Sequence, residues 1–342
     1  MNKCTASIAK MEARMEARDA SLMIRAAWLY YVHGLTQSQV ADHLAMSRVK
    51  VHRLIARAHQ QNWVKVFVEG STAEGIALED TLKRDFNLRF CVVAPSAVDA
   101  ASDGPEARFR GVGAAGALYL HKYLEQHPKC SIGVGHGRTL AAVADALPKV
   151  LRPKSRFVSI LGSLTRRSTA NPFDVIYRFA ERTGGEGYFV PAPFFVDSVD
   201  DAEVLRSQRM VQSVLDLAKK TDLILLGIGN LRNTPAIYEP ERKALADLGI
   251  VGEVLGQFLD REGRPVACDM ARRSISLRLD ELRDRTVIGI AEGSDKAVAI
   301  RATLRSGLLS GLITDETTAR TMLKQKPQPR PSKAGARRSR SR

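Results

Sequence analysis

A glycine-rich segment, GVGHGRT at residues 133–139, combines residue types that can bind an anion. Glycines let a ligand approach the backbone closely, and free N–H groups at a helix start favour negative charge. Arg138 adds a cation and Thr139 a hydroxyl where the predicted helix TLAAVADAL begins. The segment therefore predicts a site for an anion such as phosphate. A tight turn that binds nothing is the alternative.

A dinucleotide is a sharper alternative ligand, but the GxGxxG pattern is incomplete here. A dinucleotide site also needs an acidic residue about twenty positions further on to hold the ribose. Residues 152–156 read RPKSR instead, and there is no Walker A lysine motif. The sequence therefore favours a phosphate group over a nucleotide, and we predict no cofactor and no metal.

Other glycines and charged residues fall near the ends of further predicted strands or at helix starts. Alone, each would be a surface charge, a turn or a helix cap, but parallel strands bring their carboxyl ends to one edge of a sheet. Carboxylates accept hydrogen bonds from sugar hydroxyls. Together these positions predict a site for a small molecule with a phosphate at one end and hydroxyls at the other. The predicted effector-binding residues are Gly135, His136, Gly137, Arg138, Thr139, Gly162, Ser163, Gly227, Gly229, Glu253, Asp269 and Lys296.

The elements that would position this site are short apolar runs that alternate with helical patterns. The runs are FCVVAP (90–95), CSIGVG (130–135), RFVSILG (156–162), GYFVPAP (187–193), DLILLGIG (222–229), PVACD (265–269) and TVIGIAEG (286–293). Strands separated by helices predict an α/β domain with a doubly wound, mainly parallel sheet covered on both faces.

A second candidate site lies at residues 35–60, which read as two short helices joined by a tight turn. Thr36 and Ser47 are predicted N-caps, and Ala45 would occupy the turn with some strain. Small or apolar residues recur along the second helix at i, i+3, i+4 and i+7, namely Val51, Leu54, Ile55 and Ala58. This spacing predicts a helix-turn-helix.

The second helix would carry its polar and cationic residues outward, where its first turns could enter the major groove of DNA. Arg48 and Arg53 could contact guanine, and His52 could contact a base or a phosphate. The residues better placed for the phosphate backbone are Thr36, Gln37, Lys50 and Arg57. The alternative is an ordinary helical hairpin with a solvated basic face. The predicted DNA-binding residues are Thr36, Gln37, Ser47, Arg48, Val49, Lys50, His52, Arg53 and Arg57.

The flanking sequence predicts a helix at 21–33 ended by Gly34, a strand at 63–68 and a linking helix at 71–86. We therefore expect five parts in the chain. They are an N-terminal extension (1–21), a winged-helix-like helix-turn-helix domain (22–70), a linker helix (71–88), an effector domain (89–324) and a disordered basic tail (325–342).

The net charge of +15 is concentrated in two of these parts. Residues 22–67 carry six Lys/Arg and one acidic residue, and residues 324–342 carry eight Lys/Arg and no acidic residue. The central region is nearly neutral, so it is not itself a nucleic-acid surface.

No apolar stretch approaches the roughly 18 residues of a membrane span, and the four cysteines form no CxxC pair. We expect a cytoplasmic protein.

Three segments resemble the SorC/DeoR-type, sugar-responsive bacterial transcriptional regulators over about residues 22–324. They are AAWLYYVHGLTQSQVADHLAMSRVKVHRLIARAHQQNWVKV, GVGHGRTL and TVIGIAEGSDKAVAIRATLRSGLLSGLITDETTARTML. The resemblance implies an effector domain with the fold of glucosamine-phosphate deaminase and ribose-phosphate isomerase. It also implies a phosphorylated sugar or polyol as effector, for which erythritol or its phosphate is one suggestion, and a homotetramer built from dimers.

Within this resemblance, the phosphate side of the site would be formed by residues 135–139 and Lys296, and the hydroxyl side by Glu253 and Asp269. The position of His136 is often tryptophan in the family. The basic tail is not part of the family pattern.

Two functions remain from the sequence. The first is a DNA-binding regulator of a carbohydrate or polyol catabolism operon, with operator DNA and the effector as partners. The second is a sugar-phosphate isomerase or deaminase with an added DNA-binding module, which would need a positioned acid–base pair. Only His136 of the seven histidines lies in a candidate ligand loop. We therefore predict a regulator rather than an enzyme.

Overall fold

The computed structural model describes residues 18–61, 63–96, 109–163, 175–232, 234, 237 and 239–324. The predicted basic tail lies outside these residues, as does most of the predicted N-terminal extension.

Three helices form the N-terminal module. Helix α1 covers residues 18–27 and continues as a π-helical turn, Trp28–Val32. Gly34 follows with a φ of 68°, a conformation that suits glycine and ends the helix as predicted. Helices α2 (Gln37–His43) and α3 (Arg48–Gln60) then pack on α1 around a small apolar core.

The predicted helix caps are confirmed. The Thr36 hydroxyl accepts a hydrogen bond from the Gln39 N–H at 3.3 Å, and the Gln39 side chain accepts one from the Thr36 N–H at 2.9 Å. The Ser47 hydroxyl accepts from the Lys50 N–H at 3.3 Å. These bonds satisfy N–H groups that a helix start leaves free. Ala45 adopts the strained left-handed conformation that was expected, with a φ of 50°.

The strand predicted at 63–68 is wrong. The described residues of this segment form no strand, because no neighbouring strand offers them a hydrogen-bonding ladder. The segment instead contacts helices of the larger domain. Lys65 donates to the Asp145 carbonyl, and the Phe67 ring lies 5.7 Å from that of His121. The wing implied by this strand is therefore missing from the described part of the module, whereas the helix-turn-helix itself is confirmed.

The linking helix is confirmed as α4 (Ala73–Phe86), capped by the Thr72 hydroxyl. It leads to a parallel sheet of seven strands in the order β1-β10-β9-β5-β2-β3-β4. These strands are β1 (Phe90–Ala94), β2 (Ser131–Val134), β3 (Arg156–Ser163), β4 (Glu186–Pro193), β5 (Leu223–Leu226), β9 (Thr286–Ile290) and β10 (Gly311–Asp315).

Helices cover both faces of this sheet, and an apolar core lies on each face. The doubly wound α/β prediction is therefore confirmed. The helices are α5 (Phe109–Gln126), α6 (Arg138–Ala146), α7 (Ile176–Thr183), α8 (Val199–Ser207), α9 (Arg209–Ala218), α10 (Glu239–Asp247), α11 (Asp269–Arg272), α12 (Ala297–Arg305) and α13 (Glu316–Lys324). No helix in the described ranges is long and apolar enough to cross a membrane.

A small antiparallel sheet was not predicted. It contains β6 (Gly252–Val254), β7 (Gln257–Leu259) and β8 (Pro265–Val266). The run at 265–269, expected to be a strand like the others, contributes only the two residues of β8, and a helix begins at Asp269. Strands of two or three residues are too short for a periodicity to be recognised.

Candidate functional site

Helix α3 presents a cationic surface to solvent. Val51, Leu54, Ile55 and Ala58 are buried as predicted, so the residues between them point outward. Arg48, Val49, Lys50, His52, Arg53 and Arg57 are all exposed. Val49 is 62% exposed, and an apolar side chain at this position could contact a thymine methyl group. The helix therefore combines cations with one apolar group on its free face.

The remaining predicted DNA-binding residues lie at the starts of the two helices. Thr36 and Ser47 are exposed N-caps, and Gln37 is half-buried at the first position of α2. Arg57 lies 3.7 Å from Asp19 of α1, and both side chains are more than half exposed. An exposed ion pair of this kind contributes about 0–1 kcal/mol, so it orients Arg57 without sequestering it.

A cavity of about 80 Å³ opens at the carboxyl ends of β2 and β5. The hairpin of β6 and β7 and the turn after β9 close its other sides. Most of the predicted effector-binding residues lie around it. Its lining comprises Gly135, His136, Gly137, Arg138, Thr139, Leu161, Gly227, Ile228, Gly229, Thr234, Glu253, Leu255 and Lys296.

The start of α6 forms one wall of this cavity. Gly137 is the N-cap, with a φ of 120°, and no side chain caps the N–H groups of the first turn. These donors and the helix dipole favour an anion. Thr139 is buried at the second position of the helix, while the Arg138 guanidinium lies 5.1 Å from the centre of the Phe109 ring. Lys296 lines the cavity from the 3₁₀ turn Ser294–Lys296.

Glu253 also lines the cavity and is only 5% exposed. A two-residue turn, Leu255 and Gly256, both with positive φ, lets the Gly256 N–H donate to Glu253 Oε1 at 2.6 Å. Backbone hydrogen bonds join Glu253 to Gly229, where a Cβ atom would lie 2.5 Å from Glu253 Oε2. A side chain at position 229 would therefore displace the Glu253 carboxyl group or the Thr234 hydroxyl.

Burial raises the pKa of Glu253 to about 7, although the Gly256 N–H, the Thr234 side chain and Lys296 each oppose this shift. Burial has the opposite effect on His136 and lowers its pKa to about 4. Both shifts favour the neutral form, because a buried charge loses its hydration. The imidazole of His136 is therefore neutral at neutral pH, and Glu253 keeps its proton to a higher pH than an exposed carboxyl group does.

Three predicted residues lie outside this cavity. Gly162 and Ser163 line a smaller adjoining cavity, which shares Gly135, His136 and Leu161 with the first. The Asp269 side chain is 84% exposed and lies 3.7 Å from Arg272 on its own helix. The structure thus gives Asp269 the position of a surface residue at a helix start.

Sequence reasoning missed Thr234 and the apolar lining residues Leu161, Ile228 and Leu255. The Thr234 hydroxyl donates to the Asn230 carbonyl at 2.8 Å, which fixes it beside Glu253. For Thr234, the available signal was the polar segment that follows β5, where Asn230 comes directly after Gly229. Leu255 had no comparable signal because the β6–β7 turn was not predicted.

A helix-turn-helix joined to an α/β domain with a polar cavity at its strand ends is the architecture of a ligand-responsive transcriptional regulator. The family model described as "Putative sugar-binding domain" matches residues 71–324. The chain belongs to this family, that of the SorC-like, sugar-binding transcriptional regulators, as the sequence resemblance predicted.

Relatives support the same assignment over nearly the whole chain. The "Erythritol catabolism regulatory protein EryD" of Brucella abortus (strain 2308) is 41% identical over 91% of this chain and 99% of its own length. "Transcriptional regulator LsrR" of Klebsiella pneumoniae is 30% identical over 91% of this chain and 95% of its own length. The crystal structure of the full-length sorbitol operon regulator SorC from Klebsiella pneumoniae superimposes with a TM-score of 0.65. It is 25% identical and covers 90% of this chain and 99% of its own.

Proposed function

We propose that this regulator controls a carbohydrate or polyol catabolism operon by binding operator DNA through α3 and a phosphorylated sugar or polyol in the cavity. The observation that carries the proposal is the combination of chemical groups around the cavity. The α6 start, Thr139 and Lys296 provide donors and positive charge, and Glu253 provides a hydroxyl partner. Such a cavity suits a molecule with an anionic end and a hydroxylated end.

The name of one relative suggests which effector to test first. The relative that is 41% identical is named for erythritol catabolism. A four-carbon polyol phosphate is therefore the first compound to test. We assign the DNA-binding domain to residues 22–70, the linker to 71–88 and the effector domain to 89–324, and we expect a cytoplasmic homotetramer.

The effector site can be tested by a thermal-shift screen with phosphorylated sugars and polyols, because a ligand that binds the native state raises its stability. We expect erythritol 4-phosphate to raise the melting temperature. The double variant Thr139→Val/Lys296→Met should lose this response while it still binds operator DNA without ligand. Lys243→Met, on the exposed surface of α10, is the matched control. A double variant that responds at the same ligand concentration would place the phosphate elsewhere.

The DNA surface can be tested by footprinting. Arg48→Ala/Arg53→Ala should abolish sequence-specific protection without changing the oligomer mass, because it removes the two side chains best suited to guanine. Arg84→Ala, on the exposed surface of α4, is the control for a lost charge. Retained protection by the double variant would refute the assignment of α3.

An enzyme with the same fold is the second candidate. The observation in its favour is that Glu253, with a pKa of about 7, and His136 line one cavity, as an acid–base pair would. Incubating the purified protein with a panel of sugar phosphates separates the two functions. We expect no turnover, and conversion of any compound would overturn the proposal of a regulator alone.

A further inference from the structure

His136 occupies a position between two cavities. Its side chain follows β2 and lines both the main cavity and the smaller one that contains Ser159 and Ser163. The edge of the imidazole meets the buried Phe194 ring, with the ring centres 5.1 Å apart and the planes at 75°. The imidazole is therefore held in place by a rigid neighbour.

The Nε2 atom of His136 is buried and has no hydrogen-bond partner among the described residues. A buried polar atom without a partner is unfavourable, and it gains most from a ligand that supplies one. Other groups, the α6 start and Lys296, supply the phosphate-type donors of the cavity. Because burial keeps the imidazole neutral, it suits a hydroxyl better than a second anion.

We propose that His136 is a specificity-determining residue whose Nε2 atom hydrogen-bonds a chain hydroxyl of the effector, so that a polyol monophosphate is preferred over a bisphosphate. This inference rests on the proposed function and adds which part of the ligand His136 contacts.

The test compares inorganic phosphate, erythritol 4-phosphate and fructose 1,6-bisphosphate by isothermal titration calorimetry. His136→Phe removes the hydrogen bond and should weaken binding of erythritol 4-phosphate about tenfold, while leaving the affinity for inorganic phosphate unchanged. His136→Gln places an amide near the position of Nε2, keeps a donor and an acceptor, and should stay within about threefold of the unaltered protein. If His136→Phe does not fold, His136→Ala makes the same comparison without added volume.

Each outcome decides a separate point. Equal loss for erythritol 4-phosphate and inorganic phosphate, or no loss for either, would overturn the role of His136 and leave the proposed site standing. Tighter binding of the bisphosphate than of the monophosphate by the unaltered protein would also overturn it. If the unaltered protein binds none of the three probes, the proposed function fails, and this inference fails with it.

A different set of contacts carries a second inference. Residues 63–69, which we name the connector, link the N-terminal module to the larger domain. Val64 packs on the module's apolar core, and Phe67 packs on the core of the sheet, with its ring 5.7 Å from that of His121. The Lys65 ammonium donates to the Asp145 carbonyl, and Glu69 lies 2.9 Å from Lys122.

Helix α6 joins this connector to the cavity. Its first turn, Arg138 and Thr139, lines the cavity, and Asp145 lies in its last turn. The Asp145 carboxylate is also held by Arg178 of α7, with both oxygens 3.1 Å from the guanidinium nitrogen. A helix of nine residues moves as a unit, so a shift at its start also shifts the atoms that hold Lys65.

We infer that α6 transmits occupancy of the cavity to the DNA-binding module through the connector. This also rests on the proposed function. The test measures operator affinity with and without erythritol 4-phosphate, using the promoter fragment that the unaltered protein protects. Lys65→Met/Phe67→Ala should retain the effector affinity and the ligand-free operator affinity within about threefold. The ratio of the operator affinities without and with the effector should fall toward one. Lys220→Met, on the exposed surface after α9, is the control.

An unchanged ratio in the double variant would refute coupling through the connector. A ratio that is already one in the unaltered protein would instead contradict the proposed function. Because the two affinities are measured separately, a variant that has lost either of them counts against a purely coupling role.

Discussion

Burial shifts the pKa values of two ionisable residues of the cavity in opposite directions. Burial raises the pKa of Glu253 and lowers that of His136, so both shift toward their neutral forms. Lys296 and Arg138 then supply the positive charge among the described lining residues. The cavity consequently favours an anion, although its lining contains a carboxyl group.

Stability should depend on pH through Glu253. Its folded pKa of about 7 lies above the ordinary value of 4.5, so the folded state holds this proton more tightly than the unfolded chain. The resulting penalty is absent below about pH 4.5, grows as the pH rises and is complete above about pH 7. A shift of this size corresponds to about 3 kcal/mol at most.

Glu253→Gln should therefore reduce the fall in unfolding free energy between pH 5 and pH 8, measured by urea denaturation at both values. The glutamine oxygen can still accept the Gly256 N–H hydrogen bond. Glu203→Gln, exposed on α8, should leave the pH dependence unchanged. An identical pH dependence in Glu253→Gln and the unaltered protein would contradict the raised pKa.

At the scale of elements, the turn between α2 and α3 holds a residue that is poorly suited to it. Ala45 has a φ of 50°, and a left-handed conformation costs residues with a Cβ atom about 1–2 kcal/mol. Glycine avoids this cost but loses more conformational entropy on folding, about 0.5–1 kcal/mol relative to alanine. The two terms leave a net gain for glycine.

We predict that Ala45→Gly raises the unfolding free energy by about 0.5 kcal/mol, measured by chemical denaturation. Ala56→Gly, inside α3, is the matched control and should lower the unfolding free energy by about 1 kcal/mol. A destabilised Ala45→Gly would show that the turn is not strained. The prediction concerns stability alone, because Ala45 lies outside the proposed DNA contacts.

At the scale of the whole molecule, one α3 helix contacts only a few base pairs, and helix-turn-helix proteins gain specificity by binding two half-sites. We therefore expect several copies of the 37.5 kDa chain to act together. Analytical ultracentrifugation should give the mass of four chains. Footprints should show protected half-sites spaced by about one helical turn of DNA or a multiple of it. A monomer bound to a single site would contradict this arrangement.

Salt dependence offers a further check on the same surface. Lys50 is exposed at the start of α3, and a phosphate contact is the role that we predict for it. Lys50→Gln should weaken binding to all DNA sequences similarly and reduce the slope of log affinity against log salt concentration by about one. A change in sequence preference would instead show that Lys50 reads bases.

The sequence by itself determined the features that depend on near neighbours in the chain. The Thr36 and Ser47 caps bond to N–H groups three residues away, and the α3 core follows a helical period. Six of the seven apolar runs predicted as strands from residue 90 onward form strands of the parallel sheet, because they are long enough to recognise. The run at 265–269 contributes only the two residues of β8. The strand predicted at 63–68 is absent from the structure. A strand needs a neighbouring strand for its backbone hydrogen bonds, and a run of apolar residues does not supply one.

Only the tertiary structure decided which distant residues share a site. The order β1-β10-β9-β5-β2-β3-β4 brings the ends of β2 and β5 side by side, and the three-residue strands of a hairpin carry Glu253 against Gly229. The same packing leaves Asp269 in solvent and removes water from Glu253 and His136. Burial and contact between remote segments set these properties, and neither is contained in the local pattern of the chain.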